Sequence, residues 1–453
     1  MATDAVNVAK PDNVWLRTLV AGTKWDTANT GKTTISVYLA GKETLSFRDP
    51  GPLSFASLGL DQAERAAIIK TFALYEKVAN VDFVLTQDRD AAQIAVVVGD
   101  AATADGDLGF AYFPKDTTNP HTGKAQSVVV FNHDAYSNAL GSLAQGGFDF
   151  ITFIHEFGHT VGLDHPHDGS PRFPGVTETF DDYGLYNMNQ GIYTTMGYND
   201  GWPKGPDGLP RGSLYGYQGT PMGLDIAALQ YLYGANTTTA RGDNAYQLPG
   251  LNQAGTYFQA LWDTGGDDSI EYNGARDCTI DLRAATLARA PGGGGYVSYV
   301  QGIHGGFTIA TGVTIELALG GSGDDLLIGN VADNDLYGRG GADTLSGGTG
   351  ADYFVYERLA DSTASAADVI RDFGLGGDRI DLAAIDAKTA AAGNNKFIFL
   401  DGEGAKFDGA GEIRYVYSGA STIIQASVDA DAAAEAVVRL AGHIALTAAD
   451  FFL

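Results

Sequence analysis

The 453-residue chain carries 28 basic against 55 acidic residues, a formal charge of −27. That balance argues against nucleic acid and anionic lipid as partners, since both require basic patches. A 44% hydrophobic share suits a folded chain of two or three domains, and the lone Cys278 excludes an intramolecular disulfide. Glycine is over-represented: 61 residues is about twice the usual share of roughly 7%. The opening "MATDAVNVAKPDNVWLRTLV" lacks the basic start and continuous apolar core of a secretory signal. No stretch is long and apolar enough to span a membrane.

Residues 1 to about 235 read as mixed α/β. "LDQAERAAIIKTFALYEKVANVDF" has the apolar spacing of an amphipathic helix, with Asp61 and Glu64 placed as a variant capping box. "AQIAVVVGD" and "AQSVVVFNH" are short β-branched runs bounded by turn residues and predict strands. "LDIAALQYLYGAN" predicts a further helix ending at Gly234.

Between them lies "FITFIHEFGHTVGLDHPHDG". Positions four apart share one helix face, so His155 and His159 point the same way. Phe148, Phe150, Ile151, Phe153 and Ile154 predict a buried helix, a rigid platform for ligands. Gly162 can end it in the left-handed conformation and return His165 as a third ligand. Three imidazoles leave a fourth position for water, the catalytic rather than the structural zinc arrangement. Glu156 cannot share the direction of His155 and is placed to take a proton from that water. A core helix with satisfied histidines is the bland alternative. The full H-E-x-x-H-x-x-G-x-x-H spacing weighs against it.

Beyond about residue 236 glycine and aspartate rise and helices nearly vanish. "GGSGDDLLI", "GNVADNDLY", "GRGGADTLS" and "GGTGADYFV" begin at residues 320, 329, 338 and 347, a strict period of nine. The repeat is G-G-x-G-x-D-x-U-x, with Leu327, Leu336, Leu345 and Phe354 at the apolar U positions. The oxygens of Gly321, Gly323, Asp325, Asn334, Gly338, Gly341, Asp343, Gly347, Gly348, Gly350 and Asp352 are hard ligands suited to calcium. Arg339 replaces a glycine, which need not disturb a carbonyl ligand, and Asn334 replaces an aspartate. Several calcium ions would offset part of the −27 charge and act as the staple that disulfides would otherwise provide. A disordered linker is the alternative, and the strict phase speaks against it.

The combination resembles the serralysins, metzincin-clan zinc endopeptidases with a C-terminal calcium-binding β-roll, over most of the chain from "GTKWD" onward. The resemblance implies an α+β, multidomain fold. It has a metzincin domain of twisted mixed sheet plus helices over 16–238 and an all-β parallel β-roll or sandwich over 239–453. Residues 1–15 are expected to be a short leader or minimal propeptide. It implies one catalytic zinc held by His155, His159 and His165, with Glu156 as general base. It makes Met196 of "YTTMGYND" the Met-turn methionine and Tyr198 an added zinc ligand that later stabilises the oxyanion.

The resemblance also supplies calcium ligands outside the repeats. They are carbonyls of Ala240, Gly242 and Asn244 with Asp263, Gly265 and Asp268, and a neighbouring set of Gly266, Asp268, Thr314 and Glu316. Within the repeats it pairs Asp325 with Asp343, and Asn334 with Asp352. Protein or peptide substrates follow, and "TAADFFL" reads as the uncleaved tail of type I secretion, hence an extracellular location. The secretion machinery and a periplasmic protein inhibitor are the implied partners, and a monomer is expected. His167 stands where the family more often has glycine and is read as a bystander, with competition for the metal or titration near the site as the alternative. His121, His133, His304 and His443 have no motif context. Two rivals remain: a calcium-dependent adhesin or surface-layer module with a vestigial protease domain, and a metal hydrolase acting on something other than peptides.

Overall fold

The computed structural model describes residues 4–26, 31–48, 51–136, 142–429, 431 and 433–453. The first half is organised by a five-stranded sheet, ordered Val81–Leu85, Thr33–Leu39, Ile94–Gly99, Ser127–Asn132, Gly109–Ala111. The first four strands are parallel and the last, at the edge, is antiparallel. The two runs read as strands from the sequence, Ile94–Gly99 and Ser127–Asn132, lie side by side and are buried throughout. Their alternation sends Val96, Val98, Val129 and Phe131 to one face. Ala95, Val97, Val128 and Val130 pack on the other face, against Leu45, Phe47 and Phe55 of a hairpin, Lys42–Phe47 with Leu53–Leu58.

Helices cover the first face. After a short α1 (Leu16–Leu19), α2 runs Gln62–Val78. Asp61 Oδ1 accepts from Glu64 N and Glu64 Oε2 accepts from Asp61 N, both at 2.8 Å, completing the capping box. Such a cap is worth about 1 kcal/mol. α3, Phe148–Thr160, is buried from Asp149 to its end, as expected for a helix apolar on nearly every side. It is wedged between α2 and the sheet: Phe157 meets Phe72 edge-on with centroids 4.9 Å apart, and Phe153 stacks on Phe131 at 4.4 Å. α4, Gly223–Tyr233, ends at Gly234 with φ +79°. No helix among the described residues is long and apolar enough to cross a membrane.

The second half is stacked in two sheets, mostly from parallel strands of two to four residues, with an antiparallel set of longer strands, Glu412–Ser418, Ser421–Ser427 and Ala436–Ala441, extending one of them. One sheet runs Ala245–Gln247, Ser269–Glu271, Leu317–Leu319, Asp335–Tyr337, Tyr353–Val355, Arg379–Asp381, Phe451–Phe452, parallel throughout. The facing sheet has a parallel run of Cys278–Asp281, Leu326–Ile328, Thr344–Ser346 and Val369–Ile370, which continues to Ala436–Ala441. Successive nonapeptides alternate between the sheets, so residues eighteen apart are neighbours. Leu327, Leu336, Leu345 and Phe354 are each 0% exposed and form the filling. This is the parallel roll expected from the apolar positions of the repeat.

The halves are joined through the N-terminal stretch. Ala5–Asn7 pairs antiparallel with Thr23–Trp25, and Trp15 is wholly buried. Trp15 Nε1 donates to Ala288 O at 3.0 Å and Asn13 Nδ2 to Leu287 O at 2.9 Å. From residue 4 onward this stretch is built into the fold.

Candidate active site and cation sites

α3 presents His155 and His159 one turn apart, and the chain then reverses. Gly162 adopts φ +97°, and a Cβ there would lie 2.2 Å from Thr23 O, so only glycine fits this turn. His165 is returned to the other two rings. The three Nε2 atoms form a triangle with edges of 3.0, 3.0 and 3.1 Å. A tetrahedral zinc with Zn–N of 2.0–2.1 Å needs edges of about 3.3 Å, so the triangle fits with a slight expansion.

The protons are placed by the opposite nitrogens. His155 Nδ1 donates to Thr195 O at 2.8 Å and His159 Nδ1 to Leu163 O at 2.8 Å. His165 Nδ1 lies 2.7 Å from Asp168 Oδ2. Carbonyl oxygens only accept, so these rings carry their proton on Nδ1 and turn a bare lone pair inward. Burial drives the His155 pKa down to about 4 and that of His165 to about 2, keeping both neutral. Three lone pairs at this spacing repel unless a cation lies among them, so the donor set fits zinc.

Glu156, next along the helix, is buried and its Oε2 has no hydrogen-bond partner. Burial, and then the charge of Asp107, raises its pKa to about 8. Its unused oxygen is the group an acidic water would satisfy. Tyr198 packs over the rings, with centroids 5.6 Å from His155, 5.1 Å from His165 and 4.5 Å from His167. Burial, and then Glu156, holds its phenol at about 12, so it keeps its proton at neutral pH.

The floor is Met196, 0% exposed. A Cβ on Gly158 would lie 2.5 Å from its sulfur, which explains a glycine between the two helical histidines. The turn carrying Met196 is anchored by Asp225 at the start of α4. Its carboxylate accepts from Thr194 Oγ1 (2.6 Å), Thr195 N (2.7 Å), Thr195 Oγ1 (2.9 Å) and Met222 N (2.9 Å). Thr195 O in turn orients His155, so Asp225 positions a ligand through two steps. Sequence reasoning passed over it because nothing local marks it.

His167 is no loose neighbour. It is buried and stacks on the His165 ring at 4.8 Å and 16°. Of the histidines without motif context, His133 Nδ1 bonds Glu64 Oε1 at 2.7 Å and His121 Nδ1 bonds Asp90 Oδ2 at 3.0 Å. The triad opens into a cleft of about 620 Å³, walled by Phe110, Phe148, Ile151, Tyr217 and Leu209. Asp200 also reaches this cleft, and burial lifts its pKa to about 6 against a hydrogen bond from Gln218.

In the roll, backbone amides climb a ladder of carboxylates. Cys278 N donates to Asp325 Oδ1 (2.7 Å), Asp325 N to Asp343 Oδ1 (2.8 Å), and Asp343 N to Asp368 Oδ1 (3.0 Å). A second ladder links Asn334 N to Asp352 Oδ1 (2.9 Å) and Asp352 N to Asp378 Oδ1 (3.2 Å). The remaining oxygens, Oδ2 of Asp343, Asp352 and Asp368, are buried without a partner. Asp268 repeats the arrangement: Oδ1 accepts from Asn244 N at 2.8 Å, Oδ2 is orphaned, and its own amide donates to Glu316 Oε2 at 2.9 Å. Burial, and for Asp343 the charge of Asp368 next, raises these groups: Asp343 to about 8, Asp368 to about 7, Asp352 and Asp268 to about 6.

Orphaned buried carboxylate oxygens are costly unless a cation satisfies them, so the donor set fits a hard ion such as calcium. Stacked turns come close here: a Cβ on Gly341 (φ +130°) would lie 2.0 Å from Gly323 O, and one on Gly350 (φ +137°) 2.4 Å from Ala332 O. Asp325 and Asn334 differ from the others. Asp325 Oδ2 already accepts from Gly321 N at 2.6 Å. The Asn334 amide accepts from Asn330 N at 2.7 Å and donates to Glu316 O at 3.2 Å. Arg339 takes the left-handed conformation of a glycine (φ +66°) and sends its guanidinium to Asn273 Oδ1 at 2.7 Å. Asp368 and Asp378 extend the ladders past the repeats. "ADVIRDF" and "GGDRIDL" keep the aspartate-x-apolar core of the repeat, which is the signal that could have found them.

Comparison with known proteins agrees with this geometry. Residues 224–453 match the family described as Peptidase M10 serralysin C terminal, and residues 65–166 match Metallo-peptidase family M12B Reprolysin-like. A serralysin of Photorhabdus luminescens is 33% identical over 359 residues, covering 75% of this chain and 69% of its own. A serralysin of Proteus mirabilis is 31% identical over 380 residues, covering 75% and 71%. Metalloprotease AprA of Pseudomonas entomophila is 32% identical over 314 residues, covering 64% and 60%.

Proposed function

Because the chain belongs to the serralysin family and is a zinc metalloprotease, we propose that it is a secreted endopeptidase with Glu156 as general base and a calcium-folded C-terminal half. We divide it into a catalytic domain over 16–238 and a roll over 239–453. The observation that carries the reading is three converging Nε2 lone pairs beside the unpartnered Oε2 of Glu156. Zinc, when bound there, supplies a Lewis acid that polarises a carbonyl and brings the pKa of a water to about 7.

The residues divide the remaining work. His155, His159 and His165 hold their lone pairs in place through Thr195 O, Leu163 O and Asp168. Glu156 would be ionised beside an occupied triad and would accept the proton of the attacking water. Glu156 then hands that proton to the leaving amine. Tyr198 lies against two of the three rings and keeps its proton, so it can donate to the carbonyl oxygen as negative charge develops there. In the resting protein the same phenol is proposed as an added zinc ligand.

Calcium is proposed at the orphaned oxygens of Asp268, Asp343, Asp352 and Asp368, with the neighbouring carbonyls named from the sequence. The "TAADFFL" tail is proposed as the secretion signal, which would let the chain be threaded before the roll finds calcium. The test is casein hydrolysis by the calcium-loaded protein. Removing zinc with a chelator should abolish turnover, and restoring zinc should recover it. Turnover that persists without zinc would overturn the reading in favour of an unrelated activity.

A further inference from the structure

The cleft beside the histidine triad is acidic. Among its described lining residues Asp107, Glu156, Asp181 and Asp200 are acidic, and none is Lys or Arg. Asp107 and Asp181 are exposed, and Glu156 belongs to the triad. Asp200 is held from behind. Gln218, 0% exposed, donates Nε2 to Asp200 Oδ1 at 2.6 Å, while its Oε1 accepts from Gly201 N at 2.8 Å. One amide therefore grips both residues, and flipping it would lose both bonds.

The preceding residue is pinned as well. Asn199 Nδ2 donates to Asn189 O at 3.0 Å and Asp182 O at 3.1 Å, and its Oδ1 accepts from Asp181 N at 2.8 Å. Asp200 cannot swing out of the pocket without undoing this network. Among the described residues the bond from Gln218 is the one hydrogen bond donated to the Asp200 carboxylate, and Asp200 lines the cleft.

The approach to that carboxylate is apolar. Phe148 and Tyr217 meet edge-on at 5.3 Å, and Ile151 and Leu209 add to the walls. An apolar sleeve with a fixed carboxylate matches an aliphatic stem carrying a cation. A neutral side chain seated there would cover the Asp200 carboxylate and leave its charge unpaired, and an acidic one would add repulsion. Phe148 and Ile151 lie one to two turns before His155 on α3, so the sleeve adjoins the reacting position.

We propose that Asp200 makes this pocket a subsite for a lysine or arginine side chain of a substrate residue flanking the scissile bond. The inference rests on the peptidase reading above and adds its substrate class. Asp200 acts through charge on substrate binding, and Gln218 is the residue that positions it.

The test is a digest of a proteome-derived peptide library by the zinc- and calcium-loaded full chain, read by mass spectrometry. Lysine and arginine should be enriched about tenfold at one position next to the cut, with Asp and Glu depleted there, an effect the size of one partly desolvated ion pair. In matched peptides carrying lysine or norleucine at that position, the kcat/KM ratio should fall from about ten to about one in Asp200→Asn. Raising the salt concentration with the unaltered protein should shrink the same ratio, independently of whether the variant folds. Efficient cleavage with no basic enrichment at any flanking position would overturn the subsite and leave the peptidase intact. A lysine preference that survives in folded Asp200→Asn, or that salt leaves unchanged, would also overturn it. No cleavage of any peptide would overturn the peptidase reading itself.

Discussion

The two halves of this molecule use metal in opposite ways. Around the zinc triad the scaffold is apolar packing: α3 is buried from Asp149 to its end, and each histidine is oriented by an oxygen behind it. The roll rests on less apolar contact: the strands of its repeats are three residues long, and three of its ladder aspartates hold a buried oxygen with no partner. The difference teaches that a hydrophobic core can pre-form a metal site as a tool, whereas a chain rich in glycine and aspartate must take the metal as part of its core.

The sharpest way to break the comparison is to remove the tool without touching the scaffold. Glu156→Gln keeps the shape of the side chain but cannot accept a proton. Peptidase activity should fall by roughly a hundredfold to ten-thousandfold, with zinc content and melting temperature unchanged. Activity within about tenfold of the unaltered protein would show that another group is the base. Tyr198→Phe should cost less, roughly tenfold to a thousandfold in kcat, since one of two oxyanion contacts is lost. An unchanged kcat would make the phenol a bystander.

On the roll side the expected signature is a pH dependence that appears only without calcium. Asp343, Asp368, Asp352 and Asp268 have folded pKa values raised to between about 6 and about 8, against about 3.9 when unfolded. The folded state then binds more protons than the unfolded one. Stability from this source is full below about pH 4 and is lost as pH rises through 6 to 8. In excess chelator the melting temperature of the second half should therefore decline from pH 5 to pH 8, and calcium should flatten the decline. A calcium-free profile that rises with pH would contradict the arrangement of these carboxylates.

The smallest expected effect belongs to the floor of the zinc site. Gly158→Ala would place a Cβ 2.5 Å from the Met196 sulfur. Displacing that side chain should cost about 1–3 kcal/mol, read as a lower denaturation midpoint of the first half only. A neutral result would mean that Met196 can move aside freely.

What the sequence revealed follows the range of the interactions. The capping box at Asp61, the stop at Gly234 and the H-E-x-x-H spacing are local, and each appeared where its spacing put it. The nonapeptide phase put Leu327, Leu336, Leu345 and Phe354 in the core, where all four are 0% exposed. Asp225 and Asp200 were invisible, since their roles depend on partners brought in by the fold from loops of no distinctive composition. The burial of His167 was missed for the same reason: its stacking partner is two residues away, but the turn that makes them parallel comes from the tertiary structure. Asp368 and Asp378 escaped because they stand 25 and 26 residues from their ladder neighbours, out of the nine-residue phase, although the ladder continues.

Hydrogen exchange on the full chain at pH 8, where the ladder carboxylates are largely ionised, first in excess calcium chelator and then in millimolar calcium, tests the contrast most directly. Amides of the strands between Leu317 and Asp381 should exchange rapidly without calcium and gain protection of several orders of magnitude with it, while α3 stays protected in both conditions. Strands of the roll already protected in chelator, and unmoved by calcium, would contradict the account.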